Sequence, residues 1–326
     1  MSELARHYRR LLRAYPADYR RERGDEIVGT YLDLAGPERR WPSPAEAADL
    51  LRGGLRQRLR AAGATDLLPG VRLAGLLALA TAVFLAGFWA TVEPNAPRPE
   101  WGMPGFGPFV SVGVIVWCAW LLCAPLLFVA PGRITRVALA VAILATTVAP
   151  VLGGLFGAPR PPLSVLAPQV ALGVLALAVG DRLPRPVRAL PSMAALAGVG
   201  TGLALVGQGY WGWYAWTAEQ LLPITGTVLL VIAVLLAIGL GIRRDERGGW
   251  ATVALLTPVG LLNAHLLAGA VDGLASGAPR PTYPTMVATA IAVALIGPAL
   301  LPAAVALRRR VGLRPATSCP TCGNHR

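Results

Sequence analysis

Residues Val71–Val92 read VRLAGLLALATAVFLAGFWATV, twenty-two positions with a single charge and no alternation of apolar and polar side chains. About 20 residues in a helix cross a hydrocarbon core of about 30 Å, so this run predicts a membrane span. Its backbone amides must be satisfied within the run itself, which favours a helix over a barrel strand. Seven runs of the same character follow, at 106–130, 134–156, 163–179, 189–208, 221–242, 250–274 and 284–307. The fold class expected is therefore all-α, a polytopic membrane helix bundle of about eight spans. The fourth and fifth runs are short and Pro125, Pro150 and Pro258 interrupt others, so seven and nine spans stay open as alternatives.

The rest of the composition agrees. Of 326 residues, 55% are hydrophobic and 14% charged, with a mean hydropathy of +0.55, against about 25% charged in a soluble chain. The net charge of +13 comes from thirty arginines and no lysine. Without lysine the chain has no P-loop lysine, kinase lysine or pyridoxal Schiff base. No Ser-His-Asp set, HExxH helix or carboxylate pair is visible either, so no catalytic residues are assigned and the chain is read as a non-enzyme.

Arginine placement orients the bundle. Residues 1–72 hold fourteen; Arg133, Arg136, Arg182, Arg185, Arg188, Arg243, Arg244 and Arg247 fall in the second, fourth and sixth loops, and the tail adds five more. Only Arg98, Arg160 and Arg280 fall in the other loops, a division of twenty-seven to three. The positive-inside rule then puts both termini in the cytoplasm, as an even number of spans also requires. The first apolar run starts too late to be a secretory signal. Three regions result: a cytoplasmic helical domain at 1–68, the transmembrane domain at 69–310 and a cytoplasmic tail at 311–326.

The three isolated arginines share a context. Ala-Pro-Arg-Pro occurs at 96–99, 158–161 and 278–281, with starts 62 and 120 residues apart. A period near 60 suggests tandem helical hairpins of one orientation, related by an axis along the membrane normal. Arg98, Arg160 and Arg280 would then ring an outer mouth that favours anions, or meet lipid phosphate.

Three other groups carry candidate chemistry. Asn263, His265 and Asp272 are polar residues within the seventh run; at membrane depth such groups serve as substrate contacts or relays, or bond between helices. His265 and Asp272 lie seven apart, on one helix face. Cys319, Cys322 and His325 have the form of half a zinc knuckle, one ligand short of a structural site. Zinc shared with a partner, a redox pair and two reduced thiols are the alternatives. Tyr210, Trp211, Trp213, Tyr214 and Trp216 crowd seven residues and are read as interface anchors, with a carbohydrate or choline-like cage as the alternative. Cys118 and Cys123 are read as packing residues.

The N-terminal region predicts three helices. Leu4, Tyr8, Leu11, Leu12 and Tyr15 follow helical spacing up to Pro16, and Tyr19, Ile27, Tyr31 and Leu34 continue on a second helix. Ser43-Pro44-Ala45-Glu46 has the form of a capping box. A third helix carries Leu51, Leu55 and Leu59 as an apolar stripe beside Arg52, Arg56 and Arg60, a pattern suited to lipid headgroups. Ten acids among these fourteen arginines argue against a nucleic-acid partner.

The segment HYRRLLRAYPADYRRERGDEI, His7 to Ile27, resembles the small helical prefix ahead of permease-like membrane proteins of high-GC bacteria. It is also similar to helical signalling domains of the HAAS type, associated with PadR-like regulators. The resemblance covers about residues 3–62 and implies a cytoplasmic docking role in a bacterial cell membrane. The expected function is accordingly a non-enzymatic accessory or signalling membrane protein that docks a regulator or membrane partner, with homo-oligomers open. The alternative is a transporter or permease subunit for a small, anionic solute.

Overall fold

A computed structural model describes residues 2–35, 39–95, 111–157, 159–207, 214–276 and 281–312. Among them are twelve α-helices and no strand. The chain forms two compact units, Met1–Leu67 with Pro302–Arg326, and Leu68–Leu301.

In the first unit, α1 (Glu3–Leu11) is capped by the Ser2 side chain, and a 3-10 turn at Leu12–Ala14 leads to Tyr15. Tyr15 is extended, as a residue before proline must be, and α2 (Ala17–Leu34) starts after Pro16. The capping box forms at the head of α3 (Pro44–Ala61): Ser43 Oγ accepts from Glu46 N while Glu46 accepts from Ser43 N. Leu4, Tyr8, Leu12, Val28 and Leu50 form the core.

The expected stripe of α3 is corrected here. Leu59 is buried, but Leu51 and Leu55 are 49% and 52% exposed, and the helix turns Leu50 and Gly54 inward instead. Glycine explains the rotation: a Cβ on Gly54 would stand 2.7 Å from Ala14 Cβ, so only a bare face can close on the 12–14 turn. Arg58 completes that contact by donating to the carbonyls of Ala14 and Arg13, both at 2.6 Å. Glu46 also accepts from the Tyr8 hydroxyl and from Arg39, each at 2.8 Å. Its bond from the Ser43 amide, then that from Tyr8, draws the carboxyl down from 4.5 to about 2. Burial, reinforced by the Glu46 bond, pushes Tyr8 up to about 12.

The second unit holds α4 (Leu67–Val92), α5 (Gly113–Val129), α6 (Arg133–Phe156), α7 (Leu163–Ala176), α8 (Arg185–Gly207), α9 (Tyr214–Ile242), α10 (Arg247–Leu262), α11 (Ala264–Ser276) and most of α12 (Tyr283–Gly312). Each of the eight apolar runs is mostly helical in its described part, but they are not equal. Five helices, at Leu67–Asn95, Arg133–Leu155, Arg185–Val206, Glu219–Ile242 and Tyr283–Arg310, are long and apolar enough to cross a membrane. A sixth span results if α10 and α11 are joined across their 65° bend. Helices α5 and α7, of 17 and 14 residues, fall short of that length. For α7 the causes lie at its ends: Pro161 and Pro162 delay its start, and tight turns through Leu177–Val179 close it early.

The bend has a local cause. Pro258 offers no amide to the carbonyl four residues before it, and Asn263 turns its own amide back onto Val259 O at 2.8 Å. The side chain is accommodated because Gly226 of α9 lies opposite; a Cβ there would stand 2.5 Å from Asn263 Nδ2.

Helix α4 is the hub, with 67% of its apolar window buried against 6% for α12. It meets α8 through small residues on both sides: a Cβ on Gly87 would stand 2.5 Å from Ala195 O, and one on Gly198 would stand 2.0 Å from Phe84 O. Gln169 of α7 is buried and donates to Ala82 O at 3.0 Å. Outward faces remain apolar: Val141, Leu144, Leu235, Ile238 and Leu295 are all exposed. Apolar surface on this scale suits lipid rather than water.

Candidate functional site

Glu93 ends the apolar run of α4 and is 3% exposed. Its Oε1 accepts from the Ser111 amide at 2.8 Å and from the Ser111 hydroxyl. Its Oε2 accepts from the Tyr214 hydroxyl at 2.7 Å and from Trp117 Nε1 at 3.0 Å. Four donors from three segments thus satisfy a buried carboxylate, the condition for keeping one away from water. Ser111 Oγ in turn accepts from Gly113 N at 3.0 Å, and Val112 N donates to Pro159 O, which ties the start of α5 to the segment before α7. Trp89, one turn before Glu93, packs its ring 4.7 Å from that of Tyr214. Its Nε1 is buried without a hydrogen-bond partner among the described residues.

Tyr214 also faces a cavity of about 440 Å³. Arg160 and Ser164 border it from the start of α7, Glu219 and Leu222 from α9, and Leu261 and His265 from the two sides of the helix break. Pro281 and Met286 close it beside α12. His265 Nε2 lies 3.5 Å from Glu219 Oε1. The half-buried imidazole and the exposed carboxylate therefore share one wall of the cavity. The floor is apolar, with Leu222, Leu261 and Leu262 buried.

The sequence candidates divide. Arg160 and His265, 105 residues apart in the chain, line one cavity. Asn263 sets the break that brings His265 there. Asp272 does not join them: its carboxylate accepts from Thr282 N at 2.6 Å and Thr285 Oγ1 at 2.7 Å, bracing the head of α12. Arg98, Arg280, Cys319, Cys322 and His325 lie outside the described residues. Cys123 is buried and Cys118 exposed, both as free thiols.

Tyr214 corrects the interface-anchor expectation at its own position, since its ring packs at a tilt against Trp89 and its hydroxyl is bonded inward. Glu93 and Glu219 were missed as site residues. A carboxylate directly abutting a run of 22 apolar-rich residues is a signal the sequence carries, because placing a charge there needs donors. The donors themselves, 18 to 121 residues away, leave no local trace.

Set against protein-family models, curated proteins and solved structures, the chain matches none of them.

Proposed function

We propose that this chain is a non-enzymatic integral membrane protein that acts as an accessory or signalling component. It receives a small solute in the cavity beside Tyr214 and docks a cytoplasmic regulator through its N-terminal helices. The topology proposed is eight crossings in tandem hairpins, α4–α5, α6–α7, α8–α9 and α10/α11–α12, with both termini cytoplasmic. Twenty-seven arginines against three support that orientation.

One observation carries the choice of a receptor over a transporter. Glu93 and Glu219 stand with Tyr214 at the α4 C-terminus and the α9 N-terminus, whereas the polar contacts deeper in the bundle, Gln169 to Ala82 and Trp120 to Thr146, are neutral. A transporter holds its solute near the midplane with access from both sides. The broken helix α10–α11 is the feature that favours the transporter, because discontinuous helices line such sites. Docking is supported by the face of α3 that leaves Leu51 and Leu55 uncovered beside Arg52 and Arg56, a basic and apolar surface suited to an acidic amphipathic segment.

The test is co-purification of full-length protein from its native membrane. A stoichiometric regulator that is lost when Leu51→Glu and Leu55→Glu are combined supports the proposal. Solute flux in proteoliposomes, abolished by His265→Ala, with no retained partner, would replace it with the transporter.

A further inference from the structure

We infer that the cavity bordered by Arg160 and Glu219 is a binding site for a small zwitterion of the α-amino acid class that carries an apolar side chain. The inference rests on the proposal that this cavity receives a solute, and adds what the solute must be.

Size comes first. At about 440 Å³ the cavity lies within the range of small-molecule sites, which are mostly apolar with a few polar groups that fix orientation. Charge narrows the class. The border carries one guanidinium, Arg160, and one carboxylate, Glu219. Arg160 has no ion-pair partner among the described residues. Among the described residues Glu219 is matched only by His265 at 3.5 Å, a loose contact with the carboxylate 52% exposed. A solute entering here therefore meets an unspent cation and a largely unspent anion. A simple monoanion would bond Arg160 but face Glu219, and a simple cation would meet the reverse. A molecule with a carboxylate and an ammonium satisfies both, the first in the two-pronged geometry that arginine provides.

Shape supplies the third constraint. Leu222, Leu261 and Leu262 are buried beneath the charged border and offer nothing but aliphatic surface. A polar side chain on the solute would lose its water there without gaining a partner. An aliphatic one removes apolar area from water on both surfaces. The Tyr214 hydroxyl is already committed to Glu93, so on this wall the ring is what the solute meets.

The experiment uses full-length protein in lipid nanodiscs and three probes: L-leucine, 4-methylpentanoate, which lacks the ammonium, and 3-methylbutylamine, which lacks the carboxylate. Calorimetric titration is expected to give saturable binding of L-leucine, with each half-molecule at least about tenfold weaker. Arg160→Gln and Glu219→Gln, both at exposed positions, should each weaken L-leucine by about tenfold or more. The amine should bind no more weakly to Arg160→Gln and the carboxylate no more weakly to Glu219→Gln, each having lost only a like charge, which separates direct contact from misfolding. Binding of 4-methylpentanoate or 3-methylbutylamine as tight as L-leucine would overturn the zwitterion while leaving a solute-receiving cavity standing. Absence of binding by all three overturns the inference, and the regulator proposal is then decided by its own co-purification.

Discussion

Glu93 illustrates how much one side chain organises in this bundle. Its two oxygens accept from Ser111, Trp117 and Tyr214, so exchanging it for glutamine puts an amide donor among donors and leaves at least one of them unmatched. Glu93→Gln is expected to cost about 1–3 kcal/mol, read as a lowered Tm of detergent-solubilised protein. Tyr214→Phe should cost about 1.5–3 kcal/mol, since it removes one bond to a charged group without adding a clash; an unchanged Tm for both variants would mean that the cluster holds nothing together. At this scale the sequence was informative about types and silent about partners. His265 and Arg160 stood out as polar residues in apolar or isolated surroundings, yet only the packed helices bring them to one cavity. Tyr214 was misjudged because a tyrosine in a Trp-rich segment looks the same whether its ring faces headgroups or a neighbouring tryptophan.

Among elements, the α4–α8 crossing depends on the absence of side chains. Gly198 and Gly202 are four apart on α8 and face Phe84 and Thr91, so the helices approach through bare backbone. Gly198→Leu is expected to abolish monodisperse elution on size exclusion, whereas Gly200→Leu, where nothing lies within 4 Å, should elute as the parent does. The break at Asn263 behaves differently, because its cause is a side-chain bond. The Asn263 side chain shares Val259 O with its own backbone amide, so Asn263→Leu removes the second donor, and hydrogen exchange across 259–267 should slow as the helix straightens. Unchanged exchange there would show that Pro258 alone sets the bend. Helix positions were legible because apolar runs of this length have one outcome in lipid. The shortness of α7 showed in its run as well, but that of α5 and the bend did not, because one asparagine changes direction without altering hydropathy. On α3 the leucine spacing pointed to the wrong face, since Gly54 rather than the leucines decided which side closes on the 12–14 turn.

For the whole molecule, orientation is the property most open to direct measurement. In a background with its four cysteines replaced, Arg160→Cys should react with an impermeant maleimide on intact cells, and Arg243→Cys only after lysis. The reverse pattern would invert the proposed topology. The N-terminal unit should also answer pH. Glu46 is held near 2 against an ordinary 4.5, so its contribution to the N-terminal unit is full above about 4.5 and is lost as pH falls toward 2. Tyr8 and Tyr31, each raised from 10.0 to about 12, favour the folded unit below pH 10 and cease to do so as pH rises toward 12. Hydrogen-exchange protection of α1 and α3, corrected for intrinsic rates, should therefore hold between about 4.5 and 10 and fall on both sides.

The carboxylate of Glu93 has a consequence for how the chain can be made. It fastens residue 93 at the end of α4 to residue 111 just before α5, a task that proteins exposed to oxidants commonly give to paired cysteines. This fastening needs no oxidase, cannot be reduced and is complete as soon as α4, α5 and α9 meet. The tie between these two residues is thereby independent of the redox state of its surroundings.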